Sequence, residues 1–424
     1  MIDIKLIRTN PELVRENIRR KFQHDKLPLV DEVAALDREF REANQRCDYL
    51  RNQRNVISKQ IGGMMARGDR QAAEEAKKSV RDMADEMAAL EAREETLSAQ
   101  IRERMLIIPN IIDDSVPMGR DDSENVELER YGEPAIPDFE IPYHVDIMER
   151  LGGVELDAAR KVSGNGFYYL CGDIALLQSA LLSYARDFMV DRGFTYYIPP
   201  VLIRSGVVTG VMSFSEMENM MYKIEGEDLY LVGTSEHSMI GKFIDTIIDE
   251  HELPKKLTSY SACFRKEVGA HGIEERGVYR VHQFEKQEMV AVCRPQESAA
   301  LFEEMLSNTV SFFRSLDIPV RTIECCSGDL ADLKVKSVDV EAWSPRQGKY
   351  FEVGSCSNLS DAQARRLAIR VRGAKGNYLP HTLNNTVVAP PRMLIAFLEN
   401  NLNEDGSVRV PDALVPYMRK RAIK

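Results

Sequence analysis

From Phe264 to Glu288 the chain reads FRKEVGAHGIEERGVYRVHQFEKQE, a block that groups an arginine, several glutamates and an aromatic, residue types that activation of a carboxylate by ATP would use. That reaction displaces pyrophosphate through a transition state crowded with negative charge at the α-phosphorus. It needs a fixed guanidinium, a metal and a clamp on the nucleotide. The block sits in the second part of the chain, where amphipathic stretches alternate with short β-type runs. Between Ile174 and Val190, helical spacing is carried by Leu177, Leu181, Tyr184, Phe188 and Met189; Phe194 to Ile198 then reads as a strand before Pro199-Pro200. Strands and helices mix without regular βαβ order, which predicts an α+β domain around an antiparallel sheet.

The other end of the chain follows a different period. Val33, Leu36, Phe40, Ala43, Cys47, Leu50, Ile57 and Ile61 fall alternately three and four apart, with Arg54 interrupting the seam. After Gly62-Gly63 and Gly68-Asp69 a second stripe runs through Ala76, Val80, Met83, Met87, Leu90, Leu97 and Ile101, with Glu94 in one polar position. Two helices joined by a glycine-containing turn are predicted to return antiparallel as a coiled-coil hairpin. Each arm extends roughly 50 Å, so the tip stands in solvent. Ahead of it, Asn10-Pro11-Glu12 reads as a helix start. Residues 1–108 are therefore expected to be a helical domain whose arm covers about 30–108. The proline-rich stretch 109–150 reads as a linker, and 151–424 as a second domain.

A chain of 424 residues exceeds what one core usually organises. Its seven cysteines are odd in number and lack the spacing of a zinc knuckle or a disulfide framework, which fits a reducing cytoplasm. No run has the length of a secretion signal or a membrane span. The net charge of −11 argues against a nucleic-acid partner, but the distribution reverses that. Between Arg46 and Arg81, nine bases (Arg46, Arg51, Arg54, Lys59, Arg67, Arg70, Lys77, Lys78, Arg81) face four acids, and both flanks are acidic. A basic tip of this kind can hold a phosphate backbone despite an acidic total.

No P-loop and no strand-linked GxGxxG is present, and the class I synthetase signatures are missing. What remains is Thr234-Ser235-Glu236, the block quoted above, DVEAWSPRQGKYFEVGSCSNLSDAQARR from Asp339 to Arg366, and HTLNNTVVAPPRMLIAFLENN from His381 to Asn401. In this order and behind a helical hairpin, these motifs resemble the seryl-tRNA synthetases, class II aminoacyl-tRNA synthetases, over nearly the whole chain. The resemblance implies a class II catalytic domain that joins L-serine to ATP as seryl-adenylate. Serine then passes to the 3′ end of tRNA(Ser), with tRNA(Sec) as a further acceptor.

Carried over residue by residue, the resemblance implies that Arg265, Glu267 and Arg392 form the catalytic set. Arg265 would contact the α-phosphate and the serine carboxylate, Glu267 the adenine amino group, Phe284 one face of the base, and Arg392 the other face and the γ-phosphate. Glu352 and Ser355 match ligands for Mg2+, and no zinc is expected. Serine's amino group would lie near Thr234 and Glu236, its hydroxyl between Glu288 and Thr386. The nine bases of the arm would hold the long variable arm of the tRNA, and a homodimer would form around Gly193 to Pro200. Neither step needs a nucleophile from the protein, so Cys263 and Cys356 read as packed residues and His271 as a loop residue.

Three departures mark this chain. Gly233 stands where relatives commonly have proline and is expected to loosen the loop before Thr234. Glu274 and Glu275 add negative charge where the tRNA acceptor end approaches. Pro390-Pro391 precede Arg392 in what must then be a first helical turn. Two alternatives stay open: a paralogue that passes serine to a non-tRNA acceptor, favoured by Glu274 and Glu275, and a non-catalytic relative that uses the hairpin for interaction.

Overall fold

The computed structural model describes residues 1–267 and 277–424, the side chains of Phe214 and Ser215 excepted; His271, Glu274 and Glu275 lie outside the described residues. The chain divides into two compact units, Ile2–Pro109 and Asn110–Lys424, the second joined by Met1.

In the first unit the predicted helix start is present. Asn10 accepts a hydrogen bond from the Leu13 N–H, and the helix Pro11–Arg20 carries its proline in the first turn. Two long helices follow, a first arm Pro28–Ala66 of 39 residues and a second arm Arg70–Ile107 of 38. They run antiparallel, because Arg104 pairs with Glu32 at 2.7 Å near one end and Arg46 with Glu86 at 2.7 Å farther along. Val33, Ala43, Cys47 and Leu50 of the first arm and Met87, Leu97 and Met105 of the second are buried. Gly62 and Gly63 lie inside the first helix rather than in the turn, which occupies Arg67–Asp69. A helix interior tolerates each glycine at a cost of about 1 kcal/mol. Gly68 adopts φ +80°, where a side chain would be strained, and Asp69 caps the second arm through the Ala72 N–H at 3.2 Å.

The inner part of the hairpin is stapled across by Arg104–Glu32, Arg93–Glu39 at 2.5 Å, Arg46–Glu86 and Arg51–Glu91 at 2.9 Å. From there to the turn, no ion pair crosses between the arms among the described residues. Ala73 is the one fully buried side chain described there.

The second unit is built on eight strands: β1 (Val126–Tyr131), β2 (Thr195–Tyr197), β3 (Lys255–Phe264), β4 (Gln283–Cys293), β5 (Val320–Glu324), β6 (Lys336–Ser344), β7 (Lys349–Asn358) and β8 (His381–Val388). Their order across the sheet is β1-β5-β6-β7-β8-β4-β3-β2, antiparallel except where β2 runs parallel to β3. The helices Gly172–Val190, Ser298–Arg314 and Pro390–Asn401 supply the main core, including Leu177, Leu181, Met305, Phe312, Phe313 and Phe397. The stretch 109–150, read as a linker, contributes β1 and the helix His144–Arg150 to this unit. No helix among the described residues is long and apolar enough to cross a membrane.

Candidate active site

Arg265 stands one residue past the end of β3, and β4 returns beside it, pairing Gln283 with Phe264 and Glu288 with Ser259. Alternation along β4 directs Phe284, Lys286 and Glu288 to one face. The guanidinium of Arg265 lies over the Phe284 ring, 5.2 Å from its centroid, and its Nε donates to the Gly233 carbonyl at 3.2 Å. Gly233, expected to loosen its loop, is instead packed: a Cβ there would lie 2.7 Å from the Met220 sulfur.

Register brings the next pair together. β8 lies against β4 with Thr386 directly opposite Glu288, so a carboxylate and a hydroxyl far apart in sequence share one patch. Glu288 is only 2 % exposed; it is ion-paired with Lys286 and accepts from the Thr234 hydroxyl at 3.4 Å. Thr234 also caps the helix Ser235–Gly241, accepting from the Glu236 N–H at 3.4 Å. The Glu236 carboxylate accepts from Gln363 Nε2 at 2.8 Å. Burial, and then the charge of Glu288, raise Glu236 to about 7.

Glu352 and Ser355 are three apart on a strand, a spacing that would normally send them to opposite faces. A bulge prevents this. Glu352 pairs with Glu341 and Gly354 with Val340, leaving Val353 as the extra residue, and both oxygens turn toward one cavity. Arg392, in the first turn of Pro390–Asn401, donates to the Glu352 carboxylate at 2.8 Å and its carbonyl at 3.1 Å. Pro390 and Pro391 begin that helix without breaking it. The recessed position of Glu352 pushes its carboxyl upward, but Arg392, with Lys334 and Arg265, holds it below the usual range. On its other side Arg392 lies 4.9 Å from the Tyr279 ring centroid. Glu267 has φ +49° and pairs with Arg280 at 3.4 Å.

Two cavities adjoin here. One of about 310 Å3 is lined by Glu267, Tyr279, Phe284 and Arg392, the other of about 210 Å3 by Thr234, Glu236, Glu288 and Ser355. Arg265, Lys286, Glu352 and Thr386 line both, so all ten residues singled out for serine, nucleotide and metal converge. The sequence reading missed Lys286, although its alternation with Phe284 and Glu288 was visible. It also missed Tyr279, Gln363 and Lys334, whose ammonium lies 3.3 Å from the Ser337 hydroxyl and 3.5 Å from that of Ser355. Lys334 arrives through the connection between β5 and β6 and had no local signal, whereas Gln363 stands in the QARR run quoted above but was not singled out. Cys263 and Cys356 are fully buried, and burial raises both thiols, as suits packed residues.

On the separate helical unit the nine bases divide. Arg46 and Arg51 are staples, and Lys77 pairs with Glu74 on its own helix at 2.6 Å. Arg54, Lys59, Arg67, Arg70, Lys78 and Arg81 have no carboxylate partner among the described residues.

Comparison with known proteins agrees with this geometry. Residues 1–112 match the seryl-tRNA synthetase N-terminal domain, and residues 220–401 the tRNA synthetase class II core domain (G, H, P, S and T). The chain is 42% identical over 422 residues to the serine–tRNA ligase of Methanoculleus marisnigri, covering 99% of each. The seryl-tRNA synthetase of Pyrococcus horikoshii, solved in complex with ATP, superposes with a TM-score of 0.94 at 38% identity, over 100% of this chain and 99% of that one. The cytoplasmic serine–tRNA ligase of Naegleria fowleri, solved with AMP, gives 0.88 at 33% identity, with coverage of 100% and 99%. With both family domains matched and relatives aligned from end to end, the chain belongs to the seryl-tRNA synthetases, class II aminoacyl-tRNA synthetases.

Proposed function

We propose that this chain activates L-serine with ATP to seryl-adenylate and transfers the seryl group to the 3′-terminal ribose of tRNA(Ser). The observation that carries this reading is the position of Arg265, which lines both adjoining cavities. A guanidinium there can bind the serine carboxylate and the α-phosphate together, lower their repulsion and hold them for in-line attack. Adenine is assigned to the larger cavity, with Phe284 on one face, Arg392 on the other and Glu267 accepting from the amino group. Serine is assigned to the smaller one. Its hydroxyl meets Glu288 and Thr386, and its ammonium meets Thr234 and Glu236.

Glu352 and Ser355 suit Mg2+, because two hard oxygens on one face leave the remaining positions to water and phosphate, the coordination this ion favours. Bound there, the ion would neutralise phosphate charge. The catalytic contribution of the protein itself is placement and electrostatics. On the arm, the six bases without carboxylate partners are the assigned contacts for the tRNA backbone, while Arg46, Arg51 and Lys77 bind their own acids. A homodimer through residues 193–200 belongs to the same reading, supported by the 73 % exposure of Ile198. So does a cytoplasmic location, supported by seven free thiols.

The direct test assays serine activation and tRNA serylation side by side, with alanine, threonine and cysteine as competitors. Alanine lacks the hydroxyl that Glu288 and Thr386 are assigned to bind, so its discrimination is expected at about 10⁴-fold. Exchange driven equally by alanine would refute the pocket assignment, and activation without tRNA charging would point to another acceptor. The raised carboxyl of Glu236 adds a pH test. Below about 7 it holds a proton and cannot pair with the substrate ammonium. kcat/KM for serine should therefore rise with pH up to about 7 and then level off, and Glu236→Gln should lose that dependence. A Gln variant with the wild-type profile would remove Glu236 from the ammonium site.

A further inference from the structure

The backbone of Arg265 is held as closely as its side chain, and one residue does most of the holding. His282 immediately precedes β4 and faces Arg265 across the root of the hairpin. Its carbonyl accepts the Arg265 N–H at 2.9 Å, and its ring Nδ1 lies 2.9 Å from the Arg265 carbonyl. A carbonyl can only accept, so Nδ1 carries the proton and donates. One histidine thus binds both backbone polar groups of Arg265.

The ring is itself fixed. The His282 N–H donates to the Gly166 carbonyl at 2.8 Å. Gly166 has φ +78°, and a Cβ on it would come within 2.5 Å of His282 Cδ2 and 2.9 Å of Nε2. Phe167 lies 5.2 Å from the imidazole centroid and Tyr222 6.5 Å, so aromatic rings flank the imidazole.

We infer that His282, seated by Gly166, is a positioning residue for Arg265: it sets the backbone from which the guanidinium reaches its two anions. The inference rests on the role of Arg265 given above and extends it to a residue outside the cavity linings. Gly166 has the same standing one step farther out, since a methyl group there would push the imidazole off the Arg265 carbonyl. Displacing a catalytic group by an ångström can cost as much as 10²-fold in rate, so the effect should be measurable.

The test measures serine-dependent ATP–pyrophosphate exchange and melting temperature for His282→Ala, His282→Asn and Gly166→Ala, with His282→Ala repeated in an Arg265→Lys background. The asparagine amide places an N–H near the position of Nδ1 and can donate to the same carbonyl. His282→Ala is expected to lower kcat at least tenfold while shifting the serine KM less than threefold. Asparagine should recover kcat to within threefold of wild type, and Gly166→Ala should fall in the direction of His282→Ala. In the Arg265→Lys background the alanine change should cost less than twofold more, because the group it serves is already altered.

The inference is overturned if His282→Ala keeps kcat within twofold, if asparagine is no better than alanine, or if the full alanine penalty persists beside lysine. Should His282→Ala fail to fold, the contrast between His282→Asn and Gly166→Ala decides: asparagine near wild type with Gly166→Ala depressed supports the clamp, and any other pattern overturns it. Failure of the underlying reading is separable, because it would appear as absent serine-dependent exchange in the unsubstituted enzyme.

Discussion

Replacing Arg265 with alanine is expected to lower serine-dependent ATP–pyrophosphate exchange by about 10³-fold or more while leaving the fold intact. The size follows from its position: preorganised donors aimed at developing charge are worth about 10²–10³-fold each, and this one serves two anions. The fold should survive because the guanidinium borders open cavity space and rests on Phe284 and one carbonyl, not on a buried acid whose charge would be left uncompensated. A melting temperature within a few degrees of wild type is the control. Exchange at the wild-type rate would take Arg265 out of the mechanism, and the assignment of both cavities with it.

The second large effect concerns the arm. Excising residues 52–65 and 72–85 removes two heptads from each helix, keeps the native turn, and should rejoin the seam in register. The cut takes out Arg54, Lys59, Lys78 and Arg81 of the six bases without carboxylate partners and leaves the staples Arg46–Glu86 and Arg51–Glu91 in place. Exchange should stay within twofold of wild type, since no cavity residue is touched, while kcat/KM for tRNA charging drops by about 10²-fold. The intact enzyme should lose tRNA affinity steeply with added salt, with a log–log slope that grows with the number of phosphates neutralised, and the shortened one less steeply. Equal loss of exchange and charging, or a salt response that the excision leaves unchanged, would refute a separable electrostatic arm.

Much of this architecture could be read in the chain because it rests on local periods. The three-four spacing from Val33 to Ile61 gave the first arm, and the order of the motifs, through the family resemblance, gave the residues of the site. Misreadings arose where a local rule yielded to context. Gly62-Gly63 looked like a turn, but helix formers on both sides carry the helix through. β1 was hidden in a proline-rich stretch because it is an edge strand whose VELERY sequence is mostly exposed and has no apolar face to reveal it. In the site, residue identity was legible and register was not. Nothing local to Thr386 says that Glu288 lies opposite it, and the bulge at Val353 that turns Glu352 and Ser355 the same way is a property of two strands together.

The uneven stitching of the hairpin divides labour along its length. The stapled inner section acts as a stem, and its heptad count sets how far the end is carried: each repeat added or removed changes the span by about 10 Å. The outer section, whose seam residues Ile57, Ile61 and Val80 are only half-buried and which bears cations without a carboxylate partner among the described residues, meets few packing constraints, so its surface can be rewritten without rebuilding the stem. Length and recognition are therefore adjustable apart from each other, and an arm of this build can be refitted to a differently shaped polyanion by changing one while leaving the other alone.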